Sequence, residues 1–490
     1  MIRFFWLVLP ANQATLIFSG HKPHDTGMEK ILQAVDSALP AALERLFAFL
    51  RIPSISAQPA HAADCRRAAE WARDTLTEMG FTARLSETQG LPGVIAQNFD
   101  AGPQAPHVLF YGHYDVQPAD PLALWHSDPF DPQLVDGPRG KRIVARGAVD
   151  DKGQVVSFME ACRAHLVTHG KLPVRLTILL EGEEENGSPS LAELLTNERD
   201  TLKADFALVA DTNMWNFETP AITASLRGLA AIDVRLHGPA RDLHSGLFGG
   251  IALNPIFALA RILGQLKDDD GHVLIPGFYD NIRPVSLEQK QAWAALGFDA
   301  EAFLTECGLH HPAGEADQIP LAQLWARPTA ELNGIYGGYQ GEGSKTVIPA
   351  HATAKLTFRL VAGQDPDKIL DGFEQFVTAR LPPDARVTFQ RGGAAPGYSL
   401  APDAPFLKAA QKALAEEFGK PAALIGSGAS IPVVEAFRIH LGIDTLMAGF
   451  GLDDDCIHSP NEKFELACFH RGTRAHARLL SALSVQQQNI

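Results

Sequence analysis

Cysteine is scarce in this 490-residue sequence, which contains only five. The five lie far apart and no two of them form a Cys-x-x-Cys pair: Cys65, Cys162, Cys307, Cys456 and Cys468. An odd number at such spacing argues against a disulfide framework and against a zinc site built from thiolates. Because this pattern is typical of a reducing compartment, we expect a cytoplasmic protein.

A long uninterrupted apolar segment is also missing. Near the start, Ile2 to Phe18 is rich in apolar residues, but a proline and two amides interrupt it, and it is too short to span a bilayer. Arg3 could open a secretory signal peptide, although no clean small-residue cleavage site follows. We therefore expect no membrane partner. Residues 1–27 are interpreted as an extension, or as sequence upstream of a true start at Met28, with a signal peptide as the alternative.

Basic residues are fewer than acidic ones, 42 against 57, which gives a formal net charge of -15. Nucleic acid binding needs a basic surface, so nucleic acid is not an expected partner. A solvated acidic surface is the ordinary consequence of such a charge, although it also favours metal cations. The 46% of hydrophobic residues is ordinary for a soluble globular protein, and the length predicts two domains.

The first part of the chain alternates apolar runs with helical patterns. Buried strands are predicted at four apolar runs, Val94–Phe99, Val108–Tyr111, Val174–Leu180 and Phe206–Ala210. Helices are predicted before and between them, the first with a break at Pro40. This alternation predicts an α/β fold, a mainly parallel sheet with helices on both faces.

The pattern changes after Thr219. Ile232, Val234 and Leu236 alternate with polar residues, as in a strand with one wet face, and the same alternation returns around Phe358. Helical patterns follow both strands, so we expect an α+β domain inserted into the first domain. The predicted division is an extension over residues 1–27, a main domain in two parts over 28–218 and 399–490, and the inserted domain over 219–398. Residues from about 268 to 332 show no clear pattern.

Histidines and carboxylates follow several of the predicted strands. His113 and Asp115 come directly after Val108–Tyr111, and three glutamates, Glu183 to Glu185, follow the strongly apolar run Val174–Leu180. Asp211 ends another run. The remaining candidates are Asp150 and Asp151, before a predicted helix, and His458, which follows the last predicted strand, Ile443–Met447.

Each of these segments alone has an ordinary interpretation, such as a surface turn, acids favoured at a helix start, or a solvated loop. Together they favour chemistry, because the carboxyl ends of parallel strands meet at one edge of the sheet. Three consecutive glutamates held there repel one another unless a cation neutralises them. Mixed imidazole and carboxylate ligands suit zinc, manganese or cobalt, and a glutamate beyond the ligand set can act as a general base.

In their order and spacing these segments resemble the M20 family of zinc metallopeptidases, close to its carnosine and cytosolic dipeptidase branch. The segments are His113-Tyr114-Asp115, Asp150-Asp151-Lys152-Gly153, Glu181-Gly182-Glu183-Glu184-Glu185-Asn186-Gly187, Asp211 and His458-Ser459-Pro460-Asn461-Glu462. The resemblance extends from about Met28 to the C-terminus. It implies a zinc exopeptidase-like catalytic domain and a lid and dimerisation domain in the inserted region.

The resemblance also implies roles for individual residues. Two Zn²⁺ ions per chain, with Mn²⁺ or Co²⁺ as possible substitutes, are expected on five ligands: His113, Asp150, Glu185, Asp211 and His458. Asp150 bridges the two ions and precedes a cis peptide to Asp151. Glu184 is implied as the general base that activates a metal-bridging water, and Asp115 as the residue that orients His113.

Further implied residues lie outside this cluster. The stretch Arg241-Asp242-Leu243-His244-Ser245-Gly246 matches the family's lid motif, in which the histidine reaches the site of a neighbouring subunit and stabilises the oxyanion. Thr346 and Arg359 match segments that hold the free carboxylate of the substrate, although Arg359 alone would be interpreted as an exposed sheet residue. Ser430 matches a substrate loop. That loop departs from the family pattern, since Gly426 and Ser427 replace a charged pair, which puts the substrate preference in doubt.

The expected function is that of a two-metal hydrolase acting on dipeptides or short peptides with a free C-terminal carboxylate, as a homodimer. One alternative keeps the site and changes the substrate to an N-acyl amino acid, as in a deacylase. A second alternative is a non-catalytic binding protein, which the presence of Glu184 beside every ligand position disfavours.

Overall fold

The computed structural model describes residues 26–429 and 431–485. Most of the predicted extension over residues 1–27, and Ser430, lie outside these residues. Within the described ranges, no helix is both long enough and apolar enough to cross a membrane.

A nine-stranded sheet forms the centre of the molecule. Its strands are Thr82–Ser86, Gly93–Asn98, His107–His113, Arg175–Glu181, Phe206–Val209, Ala221–Leu226, Tyr398–Ser399, Ala423–Ser427 and Thr445–Met447. The middle strands are parallel: His107–His113 pairs in parallel with Arg175–Glu181 on one side and with Phe206–Val209 on the other. Because these three strands are buried on both faces, they appear in the sequence as continuous apolar runs. The predicted α/β fold with a mainly parallel sheet is confirmed.

Helices cover this sheet and share its hydrophobic core. The α-helices of this part of the chain are Thr26–Leu50, Ala62–Glu78, Lys152–His169, Leu191–Asn197, Arg199–Leu202, Pro405–Phe418, Pro432–Ala436 and Leu466–Val485. Three short helical turns (Pro59–His61, Leu122–Leu124 and Glu184–Asn186) and a π-helical segment (Phe437–Leu441) accompany them. Beside the sheet lies a small three-stranded sheet formed by Gln133–Gly137, Gly140–Val144 and Lys463–Glu465.

The chain leaves the central sheet after Leu226 and returns at Tyr398. Between these points a second, antiparallel sheet has the strand order Thr329–Gly337, His351–Leu360, Gly228–His237 and Arg386–Ala395. Its apolar face packs against the helices Pro255–Leu263 and Pro366–Thr378 in a core of its own. Both helices begin with proline after a residue whose side chain caps the helix, Asn254 and Asp365.

The remaining elements of this region are short. They are the helices Ser245–Phe248, Leu287–Ala294, Ala300–Thr305 and Pro320–Trp325, and the two-stranded ladder of Leu243–His244 with Val347–Ile348. Three of the helices fall in the region around 268–332 that shows no clear pattern in the sequence. The domain boundaries predicted above remain a proposal.

One local prediction is wrong. The first helix does not break at Pro40 but runs unbroken from Thr26 to Leu50. An interior proline costs a helix about 3 kcal/mol. Here the turns beyond it bury Leu46, Phe49 and Leu50 completely in the main core, and burial of three such side chains offsets that cost.

Candidate metal centre

His113 is the last residue of its strand, and its side chain is buried. Its backbone N–H donates to Oδ2 of Asp151 at 3.1 Å. The preceding residue has to be glycine, since a Cβ at Gly112 would lie 2.4 Å from Val155 and 2.6 Å from Asp151. The strand end and the start of the helix Lys152–His169 are therefore packed directly against each other, and this contact brings the aspartates beside His113.

Five predicted ligands come together in two groups of three, and Asp150 belongs to both. One group is His113, Asp150 and Asp211, and the other is Asp150, Glu185 and His458, with the ligand atoms of each group within 4.8 Å of one another. Nε2 of His113 lies 3.2 Å from one carboxylate oxygen of Asp150, and Nε2 of His458 lies 2.9 Å from the other. The two oxygens of Asp150 thus face the two histidines separately. The peptide between Asp150 and Asp151 is cis.

The electrostatics of the cluster suit cations. Burial raises the pKa of Asp211 to about 8, and the negative charge of Asp150 adds to the shift. Hydrogen bonds to Asp150 and Glu185 raise the pKa of His458 to about 10. Carboxylates this close resist ionising together without a positive partner, and mixed nitrogen and oxygen donors are the ligands of zinc and similar ions. The residues present therefore fit two divalent metal ions.

Asp115 lies behind two of these ligands. Nδ1 of His113 is 3.1 Å from the backbone carbonyl oxygen of Asp115 and 3.3 Å from Oδ1 of Asp115. Oδ2 of Asp115 accepts a hydrogen bond from the backbone N–H of Glu185 at 3.0 Å. This side chain therefore lies where it can hold the ring of His113 and the start of the Glu185 turn in a fixed relation.

The three consecutive glutamates have different surroundings. Glu183 is buried and packs against Gly90, since a Cβ at Gly90 would lie 1.9 Å from Oε1 of Glu183. Glu185 belongs to the ligand cluster. Glu184 opens the helical turn Glu184–Asn186 and belongs to neither set of contacts. Burial raises the pKa of Glu184, and the charge of His113 opposes that shift. Glu184 is therefore a carboxylate close to the centre that is left without a ligand role.

The other predicted residues that the structure describes lie on the inserted region. His244 is exposed, its Nδ1 accepts a hydrogen bond from Gly246 N at 3.0 Å, and it pairs with Val347 beside Thr346. Arg359 is half-buried on the second sheet, opposite Leu229. Within the described ranges no hydrogen bond or ion pair joins His244, Thr346 or Arg359 to a ligand of the centre. The single chain thus brings the predicted metal ligands together, and among the described residues these three residues make no direct hydrogen bond or ion pair with them.

Arg227 is a candidate that the sequence interpretation missed. Burial lowers the pKa of Arg227 to about 10, and the nearby charge of Arg359 lowers it further. Its Nε donates to the carbonyl oxygen of Gly428 at 3.3 Å. No ion pair within 4.0 Å is formed by either arginine among the described residues. The charge of Glu331 acts on Arg227 in the opposite direction, but it forms no ion pair with either arginine. Two neighbouring guanidinium groups can attract an anion, and only the packing of segments far apart in sequence reveals this pair.

Gly426, where the sequence departs from the family pattern, is closely surrounded by other residues. A Cβ at Gly426 would lie 2.5 Å from Cβ of Trp325 and 2.8 Å from Oγ of Ser225. Trp325 belongs to a small aromatic core with Trp293 and Trp215, and Nε1 of Trp293 donates to Leu424 O at 2.9 Å. The short helices before the second sheet therefore close over this strand and leave no room for a charged side chain at position 426.

The model of peptidase family M20/M25/M40 matches residues 109–482. Among curated proteins, the chain is 31% identical to the Cys-Gly metallodipeptidase DUG1 of Candida albicans, over 91% of this chain and 95% of that protein. It is also 31% identical to the Beta-Ala-His dipeptidase of Homo sapiens, over 94% of each chain.

Comparison with solved structures agrees with the family match. Human carnosine dipeptidase 1 matches with a TM-score of 0.69 and 29% identity, covering 93% of this chain and 98% of that one. The M20 family metallo-carboxypeptidase Sso-CP2 from Sulfolobus solfataricus matches with a TM-score of 0.73 and 30% identity, covering 91% and 99%. The family resemblance that the segments show is confirmed. The chain belongs to peptidase family M20/M25/M40, and it is a metallopeptidase.

Proposed function

We propose that the chain is a dipeptidase that uses two divalent metal ions to hydrolyse dipeptides, or short peptides with a free C-terminal carboxylate. The observation that carries this proposal is the pair of ligand groups that share Asp150, with Glu184 beside them outside the ligand set. The names of the relatives add support, since they are dipeptidases for Cys-Gly and Beta-Ala-His.

We assign His113 and Asp211 to one ion, Glu185 and His458 to the other, and Asp150 to both. Zinc is the proposed ion because imidazole and carboxylate donors suit it, with manganese and cobalt as substitutes. When bound, such ions polarise the scissile carbonyl group and lower the pKa of water.

Glu184 is the proposed general base. Its carboxylate takes the proton from the attacking water and then delivers it to the nitrogen of the departing amine, so that the proton lost by the nucleophile neutralises the leaving group. Glu183 is the less suitable candidate, because its side chain packs against Gly90. Asp115 holds His113 and the Glu185 backbone in place for this chemistry.

Recognition of a free carboxylate is assigned to the inserted region. Arg359 and Arg227 lie near each other and form no ion pair in the described part of the chain, and a substrate carboxylate supplies a direct acidic partner. Thr346 and Ser430 are proposed as further contacts on the basis of the family resemblance.

We also propose a homodimer. The inserted region exposes large apolar side chains that a soluble monomer rarely leaves in contact with water, among them Leu247 (78% exposed), Ile251 (87%) and Phe257 (73%). They lie in sequence next to His244, which is itself exposed. A two-fold partner covers such a surface, and His244 of each chain then serves the metal centre of the other.

The cytoplasmic location remains part of this proposal. The five cysteines are all free, and Cys65, Cys162 and Cys468 are buried as unpaired thiols. Such thiols are typical of reducing compartments.

A substrate panel tests the proposed function. Purified protein, stripped of metal and reloaded with zinc, is assayed on dipeptides, on the same dipeptides with an amidated C-terminus, and on N-acetyl and N-succinyl amino acids. We expect the free dipeptides to be hydrolysed with the highest kcat/KM. Faster hydrolysis of the N-acyl amino acids would instead identify a deacylase, and no hydrolysis of any compound would contradict an enzymatic function on these substrate classes.

A further inference from the structure

The carboxylate of Glu462 is completely buried and makes four hydrogen bonds to one loop. Its Oε2 accepts from Nη1 of Arg146 at 2.7 Å and from Gly147 N at 2.9 Å. Its Oε1 accepts from Val149 N at 2.9 Å and from Asp150 N at 3.1 Å. Every hydrogen bond thus goes to the loop that ends in the ligand shared by both metal groups.

Arg146, the partner of Glu462, reaches two further segments. Its side chain is 1% exposed, and its Nη2 lies 3.2 Å from Pro118 O and 3.4 Å from Ser459 O. Pro118 ends the segment that carries His113 and Asp115, and Ser459 follows the ligand His458. The pair Arg146–Glu462 therefore connects the three segments that hold His113, Asp150 and His458.

The strands explain how this pair forms across 316 positions of sequence. Lys463–Glu465 pairs antiparallel with Gly140–Val144, and Ala145 N donates to Glu462 O at 3.2 Å. This register places Glu462 beneath the loop 146–150. Burying two charges carries a desolvation cost that apolar residues of the same volume avoid, so stability alone gives little reason for the pair.

We propose that Glu462 is a positioning residue of the metal centre, which fixes the backbone of Asp150 and, through Arg146, keeps the loops of the two histidines in register with it. This inference rests on the proposed function, because it requires a centre with two metal ions. Asp150 belongs to both ligand groups, so the loss of Glu462 weakens the binding of both metal ions. The loss of Glu185 weakens the binding of only one.

The test is a metal-binding titration of Glu462→Gln. Glutamine keeps the shape of the side chain but presents an amide N–H₂ to two of the four donors. Zinc affinity is measured by competition with a chromophoric chelator. We expect both binding steps to weaken by about 10- to 100-fold, the usual effect of losing a residue that orients metal ligands. At saturating zinc, KM for a dipeptide stays near the wild-type value.

Glu160→Gln is the matched control. Glu160 is also buried and also pairs with an arginine, Arg45, at 2.6 Å. In the described part of the chain its side-chain hydrogen bonds go to Arg45 and Arg163 and not to the ligand loops. The Glu160→Gln variant should be less stable against unfolding, with no change in zinc affinity. Glu185→Gln is the second comparison and should weaken a single binding step.

In the Glu462→Gln variant, the buried Arg146 loses its carboxylate partner. The double variant Arg146→Met with Glu462→Gln also removes this buried cation, and it is used if the single variant does not fold. Weakening of both steps in either variant supports the proposal. Unchanged affinity, weakening of one step only, or loss of fold in both variants while Glu160→Gln folds would overturn it. If the wild-type protein itself binds fewer than two ions, the proposed function fails instead, so the two failures are distinguishable.

Discussion

At the scale of single residues, the proposed function assigns different roles to two neighbouring glutamates. Glu184 and Glu185 are adjacent in sequence, yet one lies in the ligand cluster and the other opens the turn beside it. A carboxylate that binds a metal is not free to take a proton, so the two positions should respond differently to the same substitution.

We predict that Glu184→Gln keeps its metal content and loses about 100- to 10,000-fold in kcat, the contribution of a positioned general base. Glu185→Gln should lower the occupancy of one metal site. Steady-state kinetics measure kcat, and elemental analysis measures the metal content. Glu183→Gln is the control, because the side chain of Glu183 packs against Gly90. If Glu184→Gln is almost fully active while Glu183→Gln is not, the base has been assigned to the wrong glutamate.

A second prediction concerns the two arginines near each other. Arg359→Met and Arg227→Met should each lower kcat/KM for dipeptides by about 10- to 100-fold, because a hydrogen bond to a charged group contributes about 1.5–3 kcal/mol. The same variants should change hydrolysis of C-terminally amidated peptides much less. Arg386→Met removes an exposed arginine from the same sheet and is the control. An equal loss on free and amidated peptides would show that these arginines do not bind the carboxylate.

At the scale of secondary-structure elements, close contact between a strand and a helix limits the size of the side chains between them. We predict that Gly426→Ala destabilises the protein by about 1–3 kcal/mol, the cost of overpacking, because its Cβ would overlap Trp325. Denaturant unfolding of the metal-free protein measures this. Gly393→Ala is the matched control and should change stability little, because a Cβ there meets no atom of the described residues within 4 Å. A Gly426→Ala protein as stable as the wild type would show that Trp325 does not fill this space.

The parts of the fold that were predictable from sequence are those with a local signal. The strands ending at His113, Glu181 and Val209 are buried on both faces, so each is a continuous apolar run followed by its polar residues. The short helices between Leu287 and Trp325 have six to eight residues, too few turns for a helical period to be recognised.

The supporting residues of the site were less predictable, and the reason is distance along the chain. Arg146 and Glu462 are 316 positions apart, and only the pairing of Lys463–Glu465 with Gly140–Val144 brings them together. Arg227 directly precedes the strand Gly228–His237, and it became a candidate only because Arg359, on the strand paired with that one, lies near it. Ligand residues could be named because the family resemblance covers them, whereas the residues that hold them appear only once the elements are packed.

At the scale of the whole molecule, the active site is proposed to need two chains. His244 is exposed and makes its hydrogen bond to Gly246, with no contact to the ligands of its own chain among the described residues. We predict that His244→Ala lowers kcat by about 100- to 1,000-fold, the scale of one oxyanion donor, with the metal content unchanged.

Mixing subunits tests which chain His244 serves. A purified heterodimer of one His244→Ala chain and one Glu184→Gln chain has both lesions in one site and leaves the other site intact. It should recover about half of the wild-type activity, although each parent homodimer is nearly inactive. Subunit exchange is confirmed with distinguishable tags. An inactive heterodimer would show that His244 acts within its own chain or has no part in catalysis.

The cluster around Asp150 is proposed to hold two metal ions, and dipeptide hydrolysis is proposed to depend on them. The most direct measurement is a zinc titration of chelator-stripped protein, with bound metal and hydrolysis of Cys-Gly followed in the same samples. We expect activity to be absent without metal, to rise with added zinc and to reach its plateau at two ions per chain. Full activity of metal-free protein in excess chelator, or a plateau without any bound zinc, would contradict this proposal.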